Sequence, residues 1–180
     1  EEAIQLCRTL KPNVVLMDVK MPGIGGLEAT RKLLRSAPDT KVIACTVCDD
    51  EPFPTRLMQA GAVGYITKGA DLNEMVKAIK GVVAGQRYMS PDIAQTLALK
   101  SINPASSQSP FDNLSEREMQ IALMVVNCNK VQEISDTLCL SPKTVNSYRY
   151  RIFEKMEITS DVELTLLAVR HGMLDAETVV

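Results

Sequence analysis

Apolar and polar residues alternate along the first 85 positions in blocks that predict strands and helices in turn. Residues 14–17 are a continuous apolar run, typical of a strand buried in a parallel sheet, and the run ends at Asp18. Residues 42–46 and 64–67 predict two further strands. The helices predicted around them cover residues 4–10, 27–34, 52–60 and 71–83. This alternation favours an α/β unit with a parallel sheet.

The pattern changes after residue 85. Ser90 and Pro91 can begin a short helix that runs to Leu99. Residues 101–110 are polar and rich in serine and proline, which is typical of a linker.

From Leu114 onward the pattern is helical throughout. Ser115 and Glu118 have the spacing of a capping box, which predicts a helix to about Asn127. A second helix is predicted over residues 131–138. Ser141 followed by Pro142 starts a third, and Asp161 is predicted to cap a fourth that ends near Gly172. Four helices with a tight turn between the middle pair indicate a helix-turn-helix domain.

Composition narrows the picture in three ways. The five cysteines are scattered and odd in number, which argues against a disulfide framework and favours a reducing compartment. No apolar run approaches the roughly 18 residues of a membrane-spanning helix, so we expect a cytoplasmic protein without membrane insertion. The net charge of −2 does not by itself indicate a nucleic-acid binder, so DNA binding must depend on a local basic patch.

Asp18 stands where a parallel strand ends, and open α/β sheets place their ligand sites at such strand ends. A carboxylate in this position can act as a nucleophile that accepts a phosphoryl group. Thr46 and Lys68 end the next two predicted strands and can supply a hydroxyl and a cation to the same edge. A lone aspartate at a strand end is more often a cap or turn residue, so the hypothesis depends on the three residues together.

These residues carry a resemblance to a known family. The segment from Asp18 to Gly23, then Thr46, then Gly-Tyr-Ile-Thr-Lys at 64–68, resembles the receiver domain of two-component response regulators. Leu-Ser-Glu-Arg-Glu at 114–118 and Leu-Ser-Pro-Lys-Thr-Val at 140–145 resemble the helix-turn-helix of the NarL/FixJ (LuxR-type) group. Within that group, residues 145–151 are most similar to the GacA/UvrY global regulators.

The resemblance implies a role for each residue of the sheet edge. Asp18 would be the phosphoacceptor, Thr46 the switch hydroxyl that moves onto the phosphoryl group, and Lys68 its cationic partner. Tyr65 would be the aromatic residue that rotates inward with the switch, although a plain core aromatic is the alternative. Gly69 departs from the proline that many receivers carry after the lysine, which predicts a looser loop.

The receiver family holds Mg²⁺ with two further acidic residues at the end of its first strand. The present sequence starts in what reads as the receiver's second helix, so we expect the first strands and these ligands to be missing. Asp18 would then be the one remaining metal ligand, and Mg²⁺ binding and phosphorylation would be weak in this chain. Residues 14–17 would form an exposed apolar edge strand.

The resemblance therefore predicts two domains. Residues 1–85 would be an incomplete receiver with a flavodoxin-like α/β fold, and residues 86–112 a linker with a short helix. Residues 113–180 would be an all-α LuxR-type helix-turn-helix domain. We expect a transcription factor and not an enzyme. A sensor histidine kinase would phosphorylate it, and it would bind double-stranded DNA as a homodimer. The alternative is a degenerate receiver that acts without phosphate as a DNA-binding or protein-interaction module.

The DNA-reading helix can be examined by its periodicity. At 100° per residue, Val145, Tyr148, Ile152 and Met156 share one face and predict a core stripe. Residues 143–155 carry four basic residues and one acidic residue, a local excess suited to phosphates, while asparagine and serine can bind base edges. A solvated helix face is the alternative. The predicted DNA contacts are Lys143, Thr144, Asn146, Ser147, Arg149, Tyr150, Arg151 and Lys155.

Three other candidates are weaker. Cys45 and Cys48 have the spacing of a redox or metal motif, but they straddle a strand end and lack further ligands. A haloacid-dehalogenase-like phosphatase would need a second aspartate two residues after Asp18, where this chain has Lys20. His171, the only histidine, is predicted to interact with the dipole at the end of the last helix.

Overall fold

A computed structural model describes residues 2–21, 23–46, 53–102 and 109–173. The chain folds into two compact units, with the main boundary between residues 107 and 108. Among the described residues, no helix is long and apolar enough to cross a membrane.

The first unit alternates helices and strands, which confirms the predicted parallel α/β architecture. Its elements are α1 (Glu2–Leu10), β1 (Val14–Asp18), α2 (Gly25–Ser36), β2 (Lys41–Thr46), α3 (Phe53–Gln59), β3 (Gly64–Thr67), α4 (Leu72–Val83), β4 (Tyr88–Met89) and α5 (Pro91–Ile102).

The sheet is parallel, with the strand order β1-β2-β3-β4. Asp18 pairs with Cys45 of β2, and Thr46 pairs with Thr67 of β3, so the carboxyl ends of the three strands reach the same edge. In the described sheet β1 is the outermost strand, as expected. Leu16 on it is 42% exposed, while Met17 is buried. The parallel order therefore assembles the predicted site at one edge.

The core of this unit packs α4 against the central strands. Ile43 and Ile66 are fully buried and contact Ala78 and Val82 of α4. Burying an isoleucine side chain stabilises a fold by about 1.5–3 kcal/mol. This packing fixes β2 and β3, and therefore the strand ends that carry the candidate site.

The strand β4 was not predicted. It is only two residues long, and it forms because Tyr88 N donates to Val63 O (3.1 Å) and Ser90 N donates to Tyr65 O (3.0 Å). The sheet therefore has one strand more than the three expected. The predicted start of α3 at Pro52 lies outside the described residues.

The second unit is helical. After a 3₁₀ turn at Pro110–Asn113 it contains α6 (Glu116–Val126), α7 (Val131–Leu138), α8 (Pro142–Met156) and α9 (Asp161–Arg170). Val145, Ile152 and Met156 of the predicted stripe are buried, and Tyr148 is half-buried. His171 follows α9 as its C-cap, and its ring packs edge-on against Phe111 at 5.9 Å.

Helix starts in this unit follow the local cap signals. Ser115 N donates to Glu118 Oε2 (2.7 Å) and Glu118 N donates to Ser115 Oγ (3.4 Å), which confirms the capping box. Ser141 caps α8 as predicted. The prediction for α9 is wrong: its N-cap is Ser160, whose Oγ accepts from Glu163 N, and Asp161 is the first helical residue.

Candidate functional sites

Asp18 is held at the end of β1 by two contacts. Its Oδ2 lies 2.7 Å from Lys68 Nζ, and its Oδ1 accepts a hydrogen bond from Lys20 N at 3.1 Å. The Asp18 side chain is 28% exposed, so one side of the carboxylate faces solvent. A half-exposed ion pair of this kind contributes only about 0–1 kcal/mol to stability. Its value lies in placing a cation beside an accessible carboxylate, which suits the binding of an anionic group.

Thr46 and Tyr65 lie beside this pair but are buried. Thr46 is fully buried at the end of β2, and its carbonyl oxygen accepts from Lys68 N at 2.8 Å. Tyr65 is also fully buried, one strand further along. The structure therefore brings Asp18 and Lys68 into contact and places Thr46 at the adjacent strand end. The burial of Tyr65 agrees equally with the inward position that the resemblance gives to the switched state and with a plain core aromatic.

Gly26 is a residue of this site that sequence reasoning missed. Its N–H donates to Val19 O at 3.1 Å, and its carbonyl oxygen accepts from Thr30 Oγ1 at 2.8 Å. A Cβ at position 26 would lie 2.1 Å from the carbonyl oxygen of Asp18, which no real side chain allows. The glycine lets α2 start against the Asp18 backbone. The adjacent pair Gly25-Gly26 was the available signal, but the predicted helix began only after it, at residue 27.

Cys45 neighbours the same pair without joining it. Burial raises the pKa of its thiol, and the Asp18 carboxylate adds to this, while Lys68 opposes it. A raised pKa keeps the thiol protonated and poorly nucleophilic. Its motif partner, Cys48, lies outside the described residues.

A divalent cation would find few ligands in the described part of the chain. These residues contain no group of three or more His, Cys, Asp or Glu side chains able to hold a metal ion. Asp18 offers carboxylate oxygens, the hard ligands that Mg²⁺ prefers, but the described residues give it a lysine and a backbone amide as partners. They do not form a complete Mg²⁺ site.

The predicted DNA contacts on α8 differ in exposure. Lys143, Ser147, Tyr150 and Arg151 are exposed, Tyr150 to 72%. The Arg151 guanidinium lies over the Tyr148 ring at 5.6 Å, and Ser147 Oγ donates to Lys143 O. Thr144 and Asn146 are half-buried, and the Thr144 hydroxyl is 2.8 Å from Ser141 Oγ.

Arg149 makes contacts within its own unit. Its guanidinium donates to both carboxylate oxygens of Asp161, through Nη2 and, at 3.3 Å, through Nε. Nη1 donates to Asn146 Oδ1 at 3.1 Å, and the group lies 6.0 Å from the Phe153 ring centre. Such a fork-like pairing fixes α9 against α8. The geometry therefore gives Arg149 a structural role beside the predicted phosphate contact.

Lys155 is similarly engaged. Its Nζ is 2.7 Å from Glu118 Oε2 and 3.4 Å from Asn113 O. The Glu118 side chain is only 5% exposed. Burial would raise the pKa of Glu118, but hydrogen bonds from Lys155 and Ser115 outweigh burial and hold the pKa below its usual value. No local sequence pattern indicates this pair, because its members are 37 residues apart.

Comparisons with known proteins identify the family of the chain. A model described as "Response regulator receiver domain" matches residues 1–80, and one described as "Bacterial regulatory proteins, luxR family" matches residues 112–168. The chain belongs to the response regulators that join a receiver to a LuxR-type DNA-binding domain, and it acts in two-component signalling as a DNA-binding regulator of transcription.

Two relatives place it within that family. The chain is 75% identical to the response regulator GacA of Pseudomonas aeruginosa, over 98% of this chain and 82% of the relative. It is 58% identical to the response regulator UvrY of Escherichia coli K12, over 99% and 82%. A structure of RcsB from Salmonella enterica serovar Typhimurium, bound to promoter rprA with the phosphomimetic BeF₃⁻, matches with a TM-score of 0.68. At 20% identity over 93% of this chain and 80% of RcsB, that match concerns the fold.

Proposed function

We propose that the protein is a GacA/UvrY-like regulator switched by phosphorylation of Asp18 by a sensor histidine kinase. The contact between Asp18 Oδ2 and Lys68 Nζ carries this proposal. An Asp18 oxygen attacks phosphorus, the bond from phosphorus to the kinase histidine breaks, and an acyl phosphate forms. The protein acts in the cytoplasm as a regulator and not as an enzyme with a turnover substrate.

The residues around Asp18 can bind the new phosphoryl group and respond to its charge. Phosphorylation adds about −1.5 to −2 charge, and Lys68 is already in place to pair with it. Thr46 supplies a hydroxyl that moves onto a phosphoryl oxygen, and Tyr65 packs behind it in the inward position. Receiver phosphorylation usually uses Mg²⁺, and Asp18 would supply one of its ligands. Such a switch is a population shift between two packings, which needs only a few kcal/mol.

The proposed function assigns a separate role to each part of the chain. We assign residues 1–85 to the receiver, residues 86–112 to the linker and residues 113–180 to the DNA-binding domain. On α8, the exposed Lys143 and Arg151 meet phosphates, while Thr144, Asn146, Ser147 and Tyr150 contact base edges or sugars. Arg149 and Lys155 support that surface from within. The partner is double-stranded DNA, bound by a homodimer on paired half-sites.

Replacing the phosphoacceptor tests the switch. We expect Asp18→Asn to form no covalent adduct with acetyl phosphate and to lose activation of a dependent reporter promoter, because an amide oxygen is a poor nucleophile. Mass spectrometry and reporter output measure the two effects. Asp39→Asn removes an exposed aspartate elsewhere in the same unit and serves as the matched control. Equal output from Asp18→Asn and its parent would instead support a degenerate receiver that works without phosphate.

Salt dependence tests the assignment of the basic residues. Binding to a labelled duplex of random sequence should weaken with salt, and Lys143→Ala or Arg151→Ala should each reduce the log–log slope by about 1. Arg149→Ala should change that slope less and instead lower the thermal stability of the second unit, because it breaks the pair with Asp161. An unchanged slope in both Lys143→Ala and Arg151→Ala contradicts the assignment.

A further inference from the structure

The first turn of α4 is bonded to the chain that leads into α5. Glu74 Oε1 accepts from Ser90 Oγ at 2.6 Å and from Tyr88 OH at 3.3 Å. Ser90 is only 3% exposed and immediately precedes α5, whose Ala94 N donates back to Ser90 O at 3.0 Å. Burial, followed by the neighbouring Glu74 carboxylate, raises the pKa of the Tyr88 hydroxyl, which therefore stays a donor at neutral pH. One carboxylate thus binds the first residue of β4 and the residue that follows the strand.

The other end of this connection reaches the phosphorylation site. Glu74 N donates to Oδ1 of Asp71, the N-cap of α4, at 2.8 Å. Asp71 follows Lys68 by three residues, across a short turn in which Ala70 N donates to Thr67 O at 3.1 Å. Lys68 Nζ pairs with Asp18, so the residue that contacts the proposed phosphoacceptor lies only three positions before the N-cap of α4.

A second path runs through the sheet. Ser90 N donates to the carbonyl oxygen of Tyr65, and Met89 pairs with Tyr65 across β3 and β4. The position of Ser90 is therefore set by the α4 carboxylate on one side and by the Tyr65 backbone on the other. These two neighbours belong to α4 and β3, the elements that follow and precede Lys68 along the chain.

We propose that Glu74 is a positioning residue that couples the phosphorylation site to α5 by holding Ser90 and Tyr88 against the first turn of α4. The inference rests on the proposed phosphorylation of Asp18. When Lys68 follows the new phosphoryl group, the start of α4 shifts, and Glu74 carries that shift to the first turn of α5. Contiguous contacts that can adopt two arrangements carry coupling of this kind, and the hydrogen bonds of Glu74 supply contiguous contacts between α4 and the start of α5.

Hydrogen exchange of the full-length protein, before and after treatment with acetyl phosphate and Mg²⁺, tests the coupling. We expect phosphorylation to change amide protection several-fold across residues 88–99 in the parent. In Glu74→Ala this change is lost, although the adduct on Asp18 accumulates at the parental rate. Glu74→Gln keeps an oxygen that accepts from Ser90, so it should retain most of the change. Asn73→Ala, an exposed neighbour in the same turn, is the matched control and should behave like the parent.

The outcomes separate the two proposals. An unaltered response in folded Glu74→Ala overturns the coupling, and so does an equal loss in Asn73→Ala. A parent that forms the adduct without any change across residues 88–99 also overturns it while leaving the proposed function intact. A parent that forms no adduct contradicts the proposed function and the coupling with it. If Glu74→Ala does not fold, Ser90→Ala removes the same hydrogen bond from the other side and should give the same loss.

Discussion

Gly26 ties the conformation of the backbone at Asp18 to the start of a helix. The α2 backbone touches the Asp18 carbonyl because nothing larger than hydrogen occupies the Gly26 side-chain position. The carboxylate of Asp18 is therefore oriented by main-chain packing as well as by Lys20 and Lys68. The main-chain packing fixes the backbone of Asp18, while Lys68 holds one of its carboxylate oxygens.

We expect Gly26→Ala to destabilise the first unit by about 1–3 kcal/mol, because its Cβ overlaps the Asp18 backbone. The displaced loop should also slow adduct formation with acetyl phosphate. Urea unfolding and mass spectrometry check the two effects. Gly81→Ala, within α4, is the control: its Cβ would meet Gln86 Oε1 at an ordinary 3.4 Å, and alanine should stabilise the helix by about 0.5–1 kcal/mol. Parental stability and rate in Gly26→Ala would refute this account of the loop.

At the scale of elements, the sequence predicted well the helix starts that depend on neighbouring residues, but not the features that depend on tertiary contacts. Ser115 and Ser141 cap their helices as expected, because a cap depends only on residues within one turn. The start of α9 was misplaced because Ser160 and Asp161 are both good caps, and the contact with Arg149 that engages the aspartate is not visible locally.

The contacts within the two candidate sites also differ in how far the sequence predicted them. Asp18 and Lys68 are 50 residues apart, but the rule that parallel strands share a carboxyl edge predicted their meeting. The pairs that engage Arg149 and Lys155 follow no such rule, because helix packing sets them. The strand β4 was missed for a related reason: two residues carry no periodicity, and pairing with β3 alone makes them a strand.

The pair between Glu118 and Lys155 should make the second unit sensitive to acid. Because the pKa of Glu118 is lowered in the folded protein, its charged carboxylate stabilises the fold at pH values above the ordinary pKa of 4.5. This contribution is lost as the pH falls through the lower pKa of the folded state. The unfolding free energy should therefore decrease with pH below about 4.5, and Glu118→Gln should flatten that decrease. Denaturant titrations at a series of pH values measure it.

Two variants sharpen this experiment. Glu133→Gln changes the carboxylate at the same capping position of α7, but Glu133 is exposed, so it should alter the acid response less. Lys155→Met leaves the buried Glu118 charge without its lysine. We expect it to cost about 1–3 kcal/mol at neutral pH, below the range for a fully buried pair because Lys155 is 40% exposed. An acid response in Glu118→Gln that matches the parent contradicts the role of this pair.

At the scale of the molecule, each unit has its own buried core. Ile43 lies in the first and Ile152 in the second, and both are fully buried. Domains joined by a linker commonly unfold separately unless a large apolar interface joins them. The regulatory chemistry and the DNA-reading surface therefore rest on cores that different residues stabilise.

We expect calorimetry of the whole protein to show two unfolding transitions. Ile43→Ala should lower the temperature of only the first unit's transition, and Ile152→Ala that of only the second unit's. Each substitution should reduce the unfolding free energy of its unit by about 2–5 kcal/mol, because it creates a cavity in one core. Ile43→Val and Ile152→Val are the milder controls, with expected losses of about 0.5–1.5 kcal/mol. One transition that both alanine variants shift equally contradicts independent cores.

The helices of the DNA-binding unit end in an unusual way. Cys128, Cys139 and Glu157 follow α6, α7 and α8 with φ values of 60°, 52° and 55°, where glycine would be the unstrained choice. A side chain in this left-handed conformation costs about 1–2 kcal/mol of folding free energy. Replacing it with glycine would relieve that strain but would also enlarge the unfolded ensemble, which costs about 0.4–1 kcal/mol of stability. The two effects oppose each other, so glycine at these turns would change the stability of the unit by less than the strain alone suggests.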